Sequence, residues 1–359
     1  MPGRSTLQPT FDKSNGMSVS NRWQKEPGAR VQSSRSLDEL KVQAPCVIRV
    51  PDSGYRLFYT AIGPASPYAA CQGYILSAFS HDGLKFDSEP GIRVAPQPAV
   101  PHCALRVLAP SIARCSDGRW RMYFESRGPA DRPTVICSAI SDDMLHWTHE
   151  DGIRLEGFED VGGPRFLSLP DGRGRIYCFA SEGSSGEDRH QSIVSAVSSD
   201  GLNFAFEPSY RLCDRQSEHD TAGITAAEVV PTKGNDDHWT MFYSAWQDAP
   251  PGTIVPLHPS RDPDAVNSEE FAAKSIASDI AGYRSRIFMA HSRDGLVWEQ
   301  AGCVIEGGGY DSGERDAVHS EDMSLIEIED GHYRMYYAAC DRQGTWRIAS
   351  ARTERTETM

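Results

Sequence analysis

Apolar and polar positions alternate along most of this chain in short runs broken by Asp, Gly and Pro, the pattern of half-buried β-strands joined by tight turns. One stretch, SAFSHDGLKFDSEPGIRV from Ser77, returns as SAISDDMLHWTHEDGIRL from Ser138, SAVSSDGLNFAFEPSYRL from Ser195 and MAHSRDGLVWEQAGCVIE from Met289. Each copy has an alternating strand, a turn on Asp-Gly or Asp-Met, an aromatic ring shortly after it, and a second strand. Glycine after the aspartate supplies the positive φ that a tight turn needs, so each copy predicts a hairpin.

A second hairpin pattern precedes each copy and occurs once more after the last. It starts at Ala44, Ala109, Gly163, Ala227 and Asp322, and joins an apolar strand, a polar turn and a strand ending in aromatics. Two strands from each pattern make a four-stranded antiparallel unit, and five units in series predict an all-β, five-bladed β-propeller. The turn aspartates Asp82, Asp143 and Asp200 recur at intervals longer than the roughly 40 to 45 residues of a WD40 repeat. The fifth unit lacks its last strand, and NRWQKEPGARV from Asn21 matches LKFDSEPGIRV from Leu84 almost position for position. The N-terminal strand is therefore expected to close the last blade, sparing the ring an open edge. Residues 19–359 are expected to form one domain after a disordered tail at 1–18. An insertion at about 247–285 carries a helical stretch with an N-cap at Asn267 or Ser268 and a stop at Gly282.

A net charge of −14 argues against nucleic acid as a partner, and no apolar run is long enough to span a bilayer. The first residues lack an apolar secretory core, so the expected location is cytoplasmic. The nine cysteines include no C-x-x-C pair, which favours reduced thiols over a disulfide or zinc framework. Oligomeric state is left open.

With these units in place the chain resembles the five-bladed glycoside hydrolase superfamily of arabinanases, β-xylosidases, invertases and levansucrases. The resemblance implies a carbohydrate-active enzyme that cleaves or transfers a glycosyl unit, using carboxylates on the innermost strands around a funnel. A small-molecule or oligosaccharide ligand is implied with it. The superfamily's first-blade Asp falls on Ala44, and the corresponding positions of the next two blades are Ala109 and Gly163. Glu228 falls near the superfamily's general-acid Glu and is the expected proton donor, with Asp160, Glu321 or Asp322 as the opposing carboxylate. Of the adjacent Glu321 and Asp322, strand alternation lets only one face the axis.

The beginnings of the inner strands and the loops between second and third strands should share one face. That face collects Arg106, Glu125, Arg127, Arg165, Glu182, His190, His219, Trp246, His319 and Asp341 as candidate substrate contacts, with Trp246 as a sugar-stacking or lid-anchoring ring. No cofactor is required. Some superfamily members hold an axial cation, for which His219 and His319 are the candidate ligands here, without H-x-H or H-x-x-x-H spacing to support them. The missing aspartates leave two other readings open. One is a scaffold reassigned to a non-hydrolytic lyase, cyclase or isomerase acting on a small polar metabolite, and the other is a non-catalytic sugar-binding propeller.

Overall fold

A computed structural model describes residues 22–64, 71–129, 132–183, 190–231, 238–248, 283–309, 311–329 and 331–354. The expected tail at 1–18 and the expected helix of the insertion lie outside the described residues.

The fold is an all-β propeller of four-stranded antiparallel units. Strands β1 (Trp23–Lys25) and β2 (Val31–Gln32) come first. Unit one is β3 (Lys41–Val50), β4 (Gly54–Gly63), β5 (Gln72–Ser80) and β6 (Asp87–Ser88). Unit two is β7 (Arg106–Arg114), β8 (Trp120–Arg127), β9 (Val135–Ser141) and β10 (Thr148–His149). A single parallel bridge, Gly73 to Arg106, joins these two units. Unit three is β11 (Asp160–Ser168), β12 (Gly174–Glu182), β13 (His190–Ser198) and β14 (Ala205–Phe206). Unit four is β15 (Gly223–Pro231), β16 (Trp239–Asp248), β17 (Tyr283–Ser292) and β18 (Trp298–Ile305). The last unit is β19 (His319–Glu329), β20 (His332–Cys340) and β21 (Trp346–Thr353), completed by β1, which pairs antiparallel with β21 from Trp23–Thr353 to Lys25–Ala351. The innermost strands β3, β7, β11, β15 and β19 touch one another in a closed cycle. No helix among the described residues is long and apolar enough to cross a membrane.

The repeated turn earns its recurrence chemically. Asp82 Oδ1 accepts the amides of Leu84 and Lys85 at 2.8 and 2.9 Å, and Ser80 Oγ accepts that of Gly83 at 2.9 Å. Asp143, Asp200 and Asp294 repeat the pattern. The following residue sits at positive φ each time: Gly83 at 72°, Met144 at 63°, Gly201 at 70° and Gly295 at 71°.

Each turn is then held by the unit before it. Tyr336 Oη donates to Gly83 O at 2.8 Å, Tyr123 Oη to Gly201 O at 2.9 Å and Tyr177 Oη to Gly295 O at 2.8 Å. Arg56 reaches Asp143 O at 3.4 Å in the same way. These arginines are themselves paired: Arg56 with Glu89, Arg121 with Glu150, Arg175 with Glu207 and Arg334 with Glu26. Glu26 belongs to the N-terminal segment and does for the last unit what Glu89 does for the first, which gives the sequence match between the two segments its physical content. In unit four the corresponding positions are Thr240 and Phe242, and Phe242 instead packs edge-on against Trp23 at 5.5 Å.

Candidate functional site

Each innermost strand carries a bulge near its start. The pairing slips between Gln43 and Cys46, Leu108 and Ser111, Gly162 and Arg165, Thr225 and Glu228, and Glu321 and Ser324. The first residue inside each bulge has positive φ: Ala44 47°, Ala109 48°, Gly163 59°, Ala226 51° and Asp322 51°. Four of these five are not glycine, so local strain is stored at four of the five inner strands. The five positions are equivalent around the axis, and Asp322 alone among them carries a carboxylate.

These bulges form the floor of a partly open concavity of about 90 Å³. Its lining combines Lys41 and Gln43 from β3, Glu125 and Arg127 from β8, Phe179 from β12, Trp246 from β16, and Glu321 with Asp322 from β19. Both acidic neighbours line the pocket because the bulge suspends strand alternation, which corrects the expectation that only one could.

Glu125 accepts Arg127 Nε at 2.6 Å and the Gly163 amide at 3.0 Å. The Asp322 amide is anchored to Ser244 Oγ at 3.0 Å. Burial pushes the Asp322 carboxyl up to about 6; the Arg165 charge opposes the rise, Glu125 adds to it, and Lys41 also opposes it. Trp246 stacks on Tyr283 at 6.5 Å, and its buried indole N–H has no hydrogen-bond partner among the described residues. A polar pocket with two aromatic walls and a carboxyl poised near neutrality can bind a polyhydroxylated ring and move a proton to it.

Glu125, Arg127, Trp246, Glu321 and Asp322 are thus brought together, whereas other predicted residues are used elsewhere. Glu228 lies outside the pocket lining: its Oε2 is 3.2 Å from Arg165 Nε, and its Oε1 accepts the Leu325 amide at 3.2 Å. Burial raises its pKa, against the Arg165 charge and the Leu325 hydrogen bond. Asp160 Oδ1 accepts the Thr134 amide at 2.8 Å, so it braces a neighbouring segment. Arg106 is fully buried beside the Gly73 bridge. Glu182 and His190 sit in a separate surface concavity with Tyr210 and Asp214, His190 Nδ1 lying 3.0 Å from Asp214. Asp341 pairs with Arg347 at 2.7 Å and accepts the Gln343 amide.

The proposed metal pair also has other partners. His219 Nδ1 accepts from Arg286 Nη1 at 2.6 Å, and its ring lies over Phe288 at 5.4 Å. His319 is stacked on Trp346 at 5.1 Å, with Nδ1 at 3.0 Å from Ser285 Oγ, and burial holds its pKa down at about 3. Among the described residues no group of three or more His, Cys, Asp or Glu is arranged to hold a metal ion. Sequence reasoning missed Lys41, Gln43, Thr225 and Phe179, all of which line the pocket. Gln43 and Thr225 directly precede the bulge residues Ala44 and Ala226; the sequence match places unit four's position at Ala227, one residue late, so the offset was readable for Gln43 alone.

No protein-family model and no curated protein matches the sequence. Solved structures do match. A structure described as a glycoside hydrolase superposes with a TM-score of 0.68 at 15% identity, covering 93% of each chain. A thermostable family-43 glycoside hydrolase gives 0.59 at 15% identity over 89% of this chain and 91% of that one. The endo-arabinase from Bacteroides thetaiotaomicron VPI-5482 gives 0.56 at 12% identity over 90% and 97%. At these identities the likeness is one of fold, and the fold of this chain is that of the propeller-type glycoside hydrolases.

Proposed function

We propose that this chain is a carbohydrate-active enzyme that cleaves or transfers a glycosyl unit in the axial pocket, with Asp322 as proton donor. The observation that carries the reading is the Asp322 carboxyl, raised to about 6 at the pocket floor and sharing that pocket with Glu125. A carboxyl tuned in this way is protonated often enough near neutral pH to serve a leaving oxygen. In the step, the glycosidic C–O bond breaks and the Asp322 proton passes to the leaving oxygen. Water or an acceptor hydroxyl adds to the anomeric carbon as Glu125 takes its proton. Phe179 and Trp246 offer faces to the sugar ring, and Lys41, Gln43 and Arg127 reach its hydroxyls. Glu228 belongs to the scaffold in this reading. The fold shared with glycoside hydrolase structures supports it, at the level at which a fold can.

A second reading, a non-hydrolytic lyase, cyclase or isomerase acting on a small polar metabolite, draws on two observations. Lys41 and Arg127 stand beside the carboxylates, and Ala44, Ala109 and Gly163 replace acids at the equivalent positions. The deciding experiment is turnover of a panel of aryl glycosides and oligosaccharides by wild type, Asp322→Asn, Glu125→Gln and Glu228→Gln. Activity lost in the first two variants and kept in the third supports the glycosidase. No turnover by the wild type with saccharide still bound by Asp322→Asn would favour a sugar-binding propeller, and neither turnover nor binding would favour the reassigned enzyme.

A further inference from the structure

One buried charge lies outside the pocket lining yet touches every innermost strand. Arg165 Nη1 donates to Pro110 O and Pro164 O, each at 3.2 Å, and Nη2 donates to Met323 O at 3.2 Å and Pro45 O at 3.4 Å. Its Nε faces Glu228 Oε2 at 3.2 Å. The partners come from β7, β11, β19, β3 and β15 in turn, so one guanidinium stands where all five strands converge. The four carbonyls belong to the residues that follow Ala109, Gly163, Asp322 and Ala44, which places this ring directly under the pocket floor.

Converging carbonyls with a carboxylate are the ligand chemistry of a hard divalent cation. Here the same oxygens are engaged by a fixed positive charge, so the axial ion that the superfamily resemblance allows does not fit this chain. We infer that Arg165 is a built-in axial cation, taking up the oxygens a divalent ion would use and fixing the pocket floor from below. Its charge also acts on Asp322, as do Glu125 from β8 and Lys41 from β3; Arg127 from β8 and Glu321 on the same strand line the same pocket, and Glu228 from β15 lies against Arg165 itself. Without it, burial and Glu125 would drive the Asp322 carboxyl further up, opposed by Lys41.

The test needs no substrate. Thermal unfolding of the full chain is measured with a chelator, then with added calcium or magnesium. The Asp322 carboxyl is titrated by carbon NMR in wild type, Arg165→Lys and Arg165→Met, its signal assigned by loss in Asp322→Asn. The expected result is a wild-type Tm that neither chelator nor ion moves. Arg165→Met should melt lower, with an Asp322 midpoint above that of the wild type. Arg165→Lys should melt lower too, but keep its midpoint near the wild-type value, which separates charge from mere packing. A wild-type Tm that rises with either ion, as an ion bound to the native state would make it, overturns the inference. An Asp322 midpoint unchanged in Arg165→Met does the same. If Arg165→Met does not fold, the ion series and the Arg165→Lys titration decide.

Discussion

Glu125 accepts the backbone amide of Gly163 at 3.0 Å, a bond that ties the wall of the pocket to its floor. Gly162 lies under that bond, and a methyl group there would run into the Glu125 carboxylate and the Phe179 ring. Gly162→Ala is therefore expected to displace Glu125 and lower kcat on the order of 10²-fold, as misplaced catalytic groups do. Its cost to stability should be roughly 1–3 kcal/mol, typical of overpacking. Unchanged kinetics in a folded Gly162→Ala would show that Glu125 has no positioned role.

Asp322 links stability to rate. Its folded pKa, about 6, lies above the roughly 3.9 of an unfolded Asp. The stability it contributes is therefore fully present below about pH 4 and is lost as pH rises through 6. Asp322→Asn removes that titration and should melt higher than wild type above pH 7, while losing about 10²-fold or more in turnover. The wild-type rate should fall as pH rises past about 6, because the donor then lacks its proton. Melting curves against pH and a rate profile check both halves.

Glu228 answers differently. Glu228→Leu leaves Arg165 without its carboxylate and should cost roughly 3–5 kcal/mol, as breaking a buried ion pair does. Glu228→Gln keeps an acceptor for the Leu325 amide and should lose less stability and little turnover. Chemical denaturation and kinetics of the two variants measure this. A turnover loss in Glu228→Gln equal to that of Asp322→Asn would return the donor role to Glu228.

The latches between units predict an asymmetry. Tyr177→Phe removes the hydrogen bond to Gly295 O and should cost about 1 kcal/mol. Phe242→Tyr, the reverse change in unit four, adds a buried hydroxyl where the described residues show no equivalent turn to receive it, so it should destabilise as well. A stabilised Phe242→Tyr would reveal an acceptor at that seam.

The propeller was legible because its units depend on local chemistry. An Asx turn needs Ser, Asp and usually Gly at fixed offsets, and a half-buried strand needs alternation. Even the closing strand could be read, since Glu26 must pair with Arg334 as Glu89 pairs with Arg56. The site was harder to read because it depends on bulges and on contacts across the ring. Alternation says that Glu321 and Asp322 diverge, and a bulge residue at positive φ makes them converge. Glu228 has the same register as Arg165, and only the three-dimensional meeting of the two shows that they neutralise each other. Asp160 and Asp341 were acidic at strand ends because segments there need acceptors for backbone amides and for Arg347.

The pairing of β1 with β21 has a consequence for biosynthesis. Trp23 is translated long before Thr353, so the strand that closes the sheet must wait for its partner through the synthesis of every other unit. Until then β20 presents an open hydrogen-bonding edge, and Trp23 has no Phe242 seam to cover it. An unpaired edge is a template for another chain, so the nascent protein is most prone to aggregate just before its final strand is made.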